Sequence, residues 1–189
     1  MLSAQPPIDR YAMMTAFGQD CPGIVAAVAE GLFQLRCNIE DTCMTRLRGE
    51  FTMMVMVKLP SELLPDHLVA RIAPFTEPLG LTVLCREVPG DAAASQPQTE
   101  IPTYMLSVYG ADRPGIVAKV ARMVADHGGN ITDMNTRVIG TAERPVYVML
   151  LEVLLPSAQE PAQLERALQG LKTSLDVDVS FHAIEQLRF

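Results

Sequence analysis

A run of acid, imino acid and glycine occurs twice in this chain. Phe17-Gly18-Gln19-Asp20-Cys21-Pro22-Gly23-Ile24-Val25-Ala26 aligns with Tyr109-Gly110-Ala111-Asp112-Arg113-Pro114-Gly115-Ile116-Val117-Ala118, and the same offset sets Asn38-Ile39-Glu40-Asp41 against Asn130-Ile131-Thr132-Asp133. In each copy Asp-x-Pro-Gly-Ile stands where a strand-like apolar run gives way to helical spacing. Asp20 and Asp112 are expected to cap the helix, and Pro22 and Pro114 suit its first turn, where the missing N–H has no helical partner. Gly23 and Gly115 carry no Cβ, so a ligand can approach first-turn N–H groups that have no acceptor inside the helix. A helix start of this kind is an anion site.

An amino acid is a zwitterion, and these residues match its needs. First-turn N–H groups take a carboxylate, an aspartate not used in capping takes an ammonium, and Asn38 and Asn130 each offer an amide donor and a carbonyl acceptor. The same residues also serve plain structure, since Asp-x-Pro-Gly is a good helix-start signal by itself and asparagine before a strand is a common turn residue. Spacing alone leaves both readings open.

Other chemistries find less. Cys21, Cys37, Cys43 and Cys85 all lie in the first half, without a C-x-x-C pair or a histidine at ligand spacing, and are expected to be reduced thiols acting as small buried hydrophobes rather than a metal site. His67, His127 and His182 are scattered, and no nucleophile–base set or phosphate-binding loop appears, so catalysis is not expected and no cofactor is implied. His127 reads as a residue compensating a helix C-terminus. A net charge of −7 argues against affinity built on neutralising phosphates. Arg48-Gly49-Glu50-Phe51 loosely matches the third-strand motif of RNA-binding domains, but Phe17, Phe51, Tyr109 and Tyr147 are too few aromatics on too acidic a chain for that function. No apolar run approaches a membrane span, and Met1 to Arg10 lacks the features of a secretion signal, so a cytoplasmic location is expected.

The elements that must hold these residues follow from periodicity. Tyr11 to Phe17 suits a strand, and Ile24, Val28, Leu32 and Leu35 recur at helical spacing. Asn38 to Leu47 and Phe51 to Leu59 form two strands around the turn Arg48-Gly49-Glu50; Leu64 to Phe75 is a helix; Leu81 to Val88 alternates as a fourth strand. The second copy repeats the order with Tyr104 to Tyr109, Pro114 to His127, a longer hairpin over Asn130 to Leu155, Ala162 to Thr173 and Val177 to Ile184. The fold class is therefore α+β: two tandem ferredoxin-like βαββαβ domains, over 1–88 and 104–189, each an antiparallel four-stranded sheet with both helices on one face. Residues 89–103, rich in Pro, Ala and polar side chains, read as a linker.

Phe51, Met53, Val55, Val57 and Leu59 face the helices in this arrangement, which points Met54 and Met56 to the bare side of the sheet. Val146, Val148 and Leu150 against Tyr147, Met149 and Leu151 show the same two-sided apolarity. The bare faces are expected to pack on each other or on a partner subunit, making a homo-oligomer, unless these are simply apolar central strands. Met13, Met14, Met44, Met53, Met54 and Met56 also suit an adaptable docking surface, although methionine is more often core filler.

The Asp-x-Pro-Gly-Ile turn, the Asn-Ile strand start and the doubled βαββαβ order resemble the ACT domain, a family of amino-acid-binding regulatory modules. The tandem arrangement, Cys37-Asn38-Ile39-Glu40-Asp41 and Gly49-Glu50-Phe51-Thr52 are similar to the narrower group of such proteins that repress glycine cleavage genes. The resemblance implies a ligand held where the strand–helix turn of one copy meets the second strand of another: Asp20, Cys21, Pro22, Gly23 and Ile24 with Asn130 and Ile131, and Asp112, Arg113, Pro114, Gly115 and Ile116 with Asn38 and Ile39. It implies a small amino acid, glycine or serine, and a transcriptional activator protein as partner. The rival reading is a pure protein-interaction module with no small ligand. Two departures stand out: the first copy has Leu35-Arg36-Cys37-Asn38 where the second has His127-Gly128-Gly129-Asn130, and Cys21 stands where the second copy has Arg113. The first is expected to leave site one altered or empty, and the second to make the two turns differ in charge and in ligand preference.

Overall fold

The computed structural model of this chain describes residues 9–89, 102–141, 143–156 and 161–184. The chain divides into two compact units, Met1–Pro97 and Gln98–Phe189. Most of the expected linker, residues 90–101, lies outside the described residues.

Unit one runs β1 (Arg10–Gln19), α1 (Ile24–Gln34), β2 (Asn38–Leu47), β3 (Glu50–Leu59), α2 (Pro65–Thr76), a 3₁₀ turn (Glu77–Leu79) and β4 (Thr82–Val88). Unit two runs β5 (Thr103–Gly110), α3 (Ile116–Asp126), β6 (Asn130–Thr141), β7 (Arg144–Leu154), α4 (Pro161–Leu175) and β8 (Val177–Ala183). Each unit is one antiparallel sheet, ordered β2-β3-β1-β4 and β6-β7-β5-β8. This is the tandem ferredoxin-like architecture that the repeat implied.

Strand alternation decides which side chains enter each core. Ala12, Met14 and Ala16 of β1 and Phe51, Met53, Val55, Val57 and Leu59 of β3 are buried in one cluster with Ile24, Val28 and Leu32 of α1 and Leu68 and Ile72 of α2. Each large side chain so buried contributes about 1.5–3 kcal/mol relative to exposure. Unit two repeats the pattern with Leu106, Val108, Met149, Leu151 and Phe181 against Ile116, Val120, Val124, Leu164 and Leu168, and Tyr104 stacks on Phe181 with centroids 4.7 Å apart.

The other face of each sheet is different. In unit one the register sets Met13 beside Met56 and Thr15 beside Met54, and Met54 and Leu84 are 49% and 59% exposed. Val146 and Leu150 are exposed on the corresponding face of β7. The hairpin turn of unit one has positive φ at both central residues, Arg48 (51°) and Gly49 (89°), the torsions of a type I′ turn, whose twist matches the paired strands. Cys43 corrects the expectation of four buried thiols: it is exposed on the edge strand β2, while Cys21, Cys37 and Cys85 are half-buried.

Candidate functional site

Proline and glycine, not aspartate, build the turn before each helix. Gly23 (φ 99°, ψ −9°) and Gly115 (φ 95°, ψ −5°) hold the N-cap position, and no side-chain capping bond is made. Asp20 and Asp112 lie three residues earlier and are not caps, and Pro22 and Pro114 precede the helix instead of entering its first turn. The glycine torsions are those of the third position of a type II turn, which glycine adopts without strain and whose second position favours proline. The turn must finish before the helix begins, so the capping role passes from Asp to Gly.

This geometry leaves donors open. The first helical bonds run from Ala27 N–H to Gly23 O (2.9 Å) and from Lys119 N–H to Gly115 O (3.0 Å). Among the described residues, the amides of Ile24, Val25 and Ala26, and of Ile116, Val117 and Ala118, have no acceptor. A Cβ on either glycine would meet nothing within 4 Å among the described residues, so neither glycine is required by close packing.

In unit one a concavity of about 390 Å³ adjoins the turn, bounded by Asp20, Cys21, the first turn of α1, Met44, Arg46 and Phe51. Arg46 Nη1 donates to Asp20 Oδ2 at 3.0 Å, and the Asp20 N–H donates to Gly49 O at 2.8 Å, which ties the turn to the hairpin. Met44, Arg46 and Phe51 were not among the sequence-derived candidates. Their signal lay in the Arg48-Gly49 turn, which pairs Arg46 with Phe51 and Met44 with Met53 and so sends 44, 46 and 51 to the helix side.

Unit two fills the same positions differently. Gly110 pairs with Tyr147 as Gly18 does with Phe51, and Val138 and Thr136 take the places of Arg46 and Met44. Asp112 therefore faces no arginine there, and Arg113 turns away to Asp176, with Nη2–Oδ2 3.0 Å. Burial pushes the Tyr147 phenol above its usual range; a hydrogen bond with Thr136 opposes this, and the nearby Asp112 carboxylate adds to it.

The asparagines stand elsewhere. Asn38 pairs with Lys58, and Lys58 with Tyr11, whereas the turn follows Gln19, eight residues along β1; at roughly 3.3 Å per residue that is about 26 Å. Asn130 likewise pairs with Leu154 opposite Thr103, at the far end of β5 from Gly110. Neither unit brings its own turn and asparagine together. Asn38 Nδ2 donates to Glu40 Oε1 at 2.8 Å, while the Asn130 side chain has no partner among the described residues. A register shift follows each strand start, between Ile39 and Asp41 and between Ile131 and Asp133. Ile39 is exposed and Ile131 half-buried, and all ten residues of the edge strand β2 are exposed.

The Gly-Gly difference at the helix ends does not change the chain path. Arg36 (φ 58°) and Gly128 (φ 72°) are both left-handed, and the Cys37 and Gly129 N–H groups close the same bond to Leu32 O and Val124 O, each 2.9 Å. His127 Nδ1 lies 2.8 Å from Met123 O, within the last turn of α3. Burial, with Cys85 close by, pushes the Cys37 thiol up to about 11. Among the described residues no group of three or more His, Cys, Asp or Glu is placed to hold a metal ion, and no helix is long and apolar enough to cross a membrane.

The sequence pattern of the ACT domain matches residues 10–85 and 103–182. The glycine cleavage system transcriptional repressor of Escherichia coli (strain K12) is 23% identical over 177 residues, 92% of this chain and 90% of that protein. A UPF0237 protein of Methanopyrus kandleri is 37% identical over 76 residues, 40% of this chain and 80% of its own length. Among solved structures, a Galdieria sulphuraria protein of unknown function matches with a TM-score of 0.78 at 23% identity, over 94% of this chain and 99% of that one. A provisionally assigned glycine cleavage system transcriptional repressor matches with 0.64 at 22% identity, over the same shares of the two chains. At such identities the structural likeness establishes the fold alone. With the pattern present once in each unit and spanning most of its length, this chain belongs to the ACT domain family.

Proposed function

We propose that this chain is a non-catalytic, amino-acid-sensing regulator of the cytoplasm, in which a small amino acid, glycine or serine, joins the turn of one ACT domain to the second-strand start of another and thereby alters contact with a transcriptional activator. The observation that carries the reading is the set of open first-turn amides behind Gly23 and Gly115. The likeness to a glycine cleavage repressor over most of both chains supports the pathway. Because turn and asparagine lie far apart within a unit, the ligand bridges two domains: Asp20 to Ile24 with Asn130 and Ile131, and Asp112 to Ile116 with Asn38 and Ile39, within one chain or between two copies. An exposed edge strand β2 suits such a junction.

The two turns are not equivalent. Asp20 is neutralised by Arg46, whereas Asp112 has no charged partner among the described residues, so the second turn is the better acceptor for an ammonium. Through linkage the ligand shifts the regulator's equilibrium only by its differential affinity for the two states. Calorimetric titration with glycine, L-serine and the other amino acids tests this: heat with one of them, weakened by Asn130→Ala in a protein that still folds, is the expected result. Heat with none would leave the second reading, a protein-interaction module docking through the exposed methionine-bearing face of unit one.

A further inference from the structure

Away from both turns, unit one holds a small pocket of about 150 Å³ at the end of α1, walled by Leu35, Pro60 and Leu63 and carrying Arg36, Arg71 and Glu62. At ~30 Å³ per water this is space for about five waters. That is below the roughly 300 Å³ at which pockets begin to take drug-sized ligands, and enough for one phosphate or carboxylate group.

Three observations bear on its occupant. Neither guanidinium has a hydrogen bond or ion-pair partner among the described residues. Glu62 lies close enough to feel Arg36, yet its carboxylate is taken by its own backbone N–H and by the Ser61 hydroxyl, 3.0 Å away. Arg36 sits at φ 58°, a left-handed conformation that is sterically unfavourable for a side chain. Unit two fills the matching position with Gly128. A glycine would close the helix equally well, and the side chain that stands here instead carries a guanidinium to the pocket. The carbonyls of Gly31, Leu32 and Phe33 accept from the Leu35, Cys37 and Arg36 N–H groups, so the guanidinium charge has to outweigh only the partial negative charge left on the last carbonyls of the helix, those of Gln34 and Leu35.

We propose that Arg36 and Arg71 form a binding site for a small oxyanion, a phosphate or carboxylate group, at the C-terminal end of α1. Guanidinium groups suit this role because each presents paired donors in the plane of the oxyanion. The lining charge is two positive against one negative, which favours a single anionic group.

The test is a titration of the full chain, followed by NMR of the arginine Nε–H groups, with sodium phosphate, sodium acetate and glycine, each against sodium chloride at matched ionic strength. Saturable shifts at Arg36 and Arg71 with phosphate or acetate are expected, and the arms separate phosphate from carboxylate. Arg36→Gly should weaken binding about tenfold or more, the loss of one charge-assisted hydrogen bond. The same change should raise the melting temperature by about 4 °C, because glycine adopts this φ freely; lost binding then cannot be lost folding. Glu62→Gln should tighten binding, and Arg86→Gln on β4 should leave it unchanged. Chloride reproducing the phosphate shifts, unaltered phosphate binding in both Arg36→Gly and Arg71→Gln, or weaker binding in Glu62→Gln would each overturn the proposal.

Discussion

Replacing Gly23 by alanine isolates the torsional demand of the turn that opens α1. A side chain at φ 99° costs roughly 1–2 kcal/mol, and the stiffer unfolded chain returns about 0.4–1 kcal/mol of that. The net loss is about 1 kcal/mol, which lowers the melting temperature of a domain of this size by about 4–8 °C. No steric term adds to it, because the new Cβ has open space around it. Gly23→Asn should therefore cost less than Gly23→Ala, since asparagine tolerates the third position of a type II turn. Gly110→Ala is the contrast: its Cβ would stand 2.8 Å from Val177 Cγ1 and 2.9 Å from Asp176 O, an overpacking that costs about 1–3 kcal/mol and that asparagine would worsen. Thermal and urea unfolding of the four variants, followed by circular dichroism, measures all of this. Gly23→Asn proving as damaging as Gly23→Ala would refute the torsional reasoning and mean that the glycine is needed for space.

The two faces of the unit-one sheet should respond in opposite ways. Met14→Ala, at a side chain with no exposure, should cost about 2–5 kcal/mol, and Met54→Ala, half-exposed on the bare face, under about 0.5 kcal/mol; a large, concentration-dependent loss in Met54→Ala would instead reveal a covering copy. Arg46→Val, which gives the first turn the residue found at Val138, removes an ion pair with side chains 67% and 29% exposed, so stability should fall by only about 0.2–1 kcal/mol. High salt in the unfolding experiment should shrink that difference. Alkylation followed by mass spectrometry near neutral pH should label exposed Cys43 first and Cys37 late. Because folding raises the Cys37 thiol to about 11, its contribution to stability is fully present below the ordinary thiol range and is lost as pH climbs through that range toward 11. Unfolding midpoints across the alkaline range check this, with Cys37→Ala reducing the dependence to what Cys85 and Tyr147, also raised by burial, contribute.

Much of the fold was legible because its rules are local. Ile24, Val28 and Leu32 at helical spacing and Phe51, Met53, Val55, Val57 and Leu59 at alternate positions mark the buried faces, and the doubled turn announced two copies. The site was less legible. Asp20 has the right type for a cap, but the Pro22-Gly23 turn intervenes, and its carboxylate goes instead to Arg46, 26 residues away in sequence. Arg36 looked like a departure from a glycine cap, yet the chain takes the left-handed turn there all the same.

By itself the sequence determined the number of domains' worth of elements, their order, and which side of each strand is apolar, since these depend on period and turn chemistry within a few residues. Only the tertiary structure decided that each turn and its asparagine sit at opposite ends of one sheet, that Asp20 pairs with Arg46 while Asp112 has no charged partner among the described residues, and that Arg36 and Arg71 share a pocket. Those facts depend on strand register and on helices crossing the sheet, which join residues far apart in the chain, and no local preference encodes such distances.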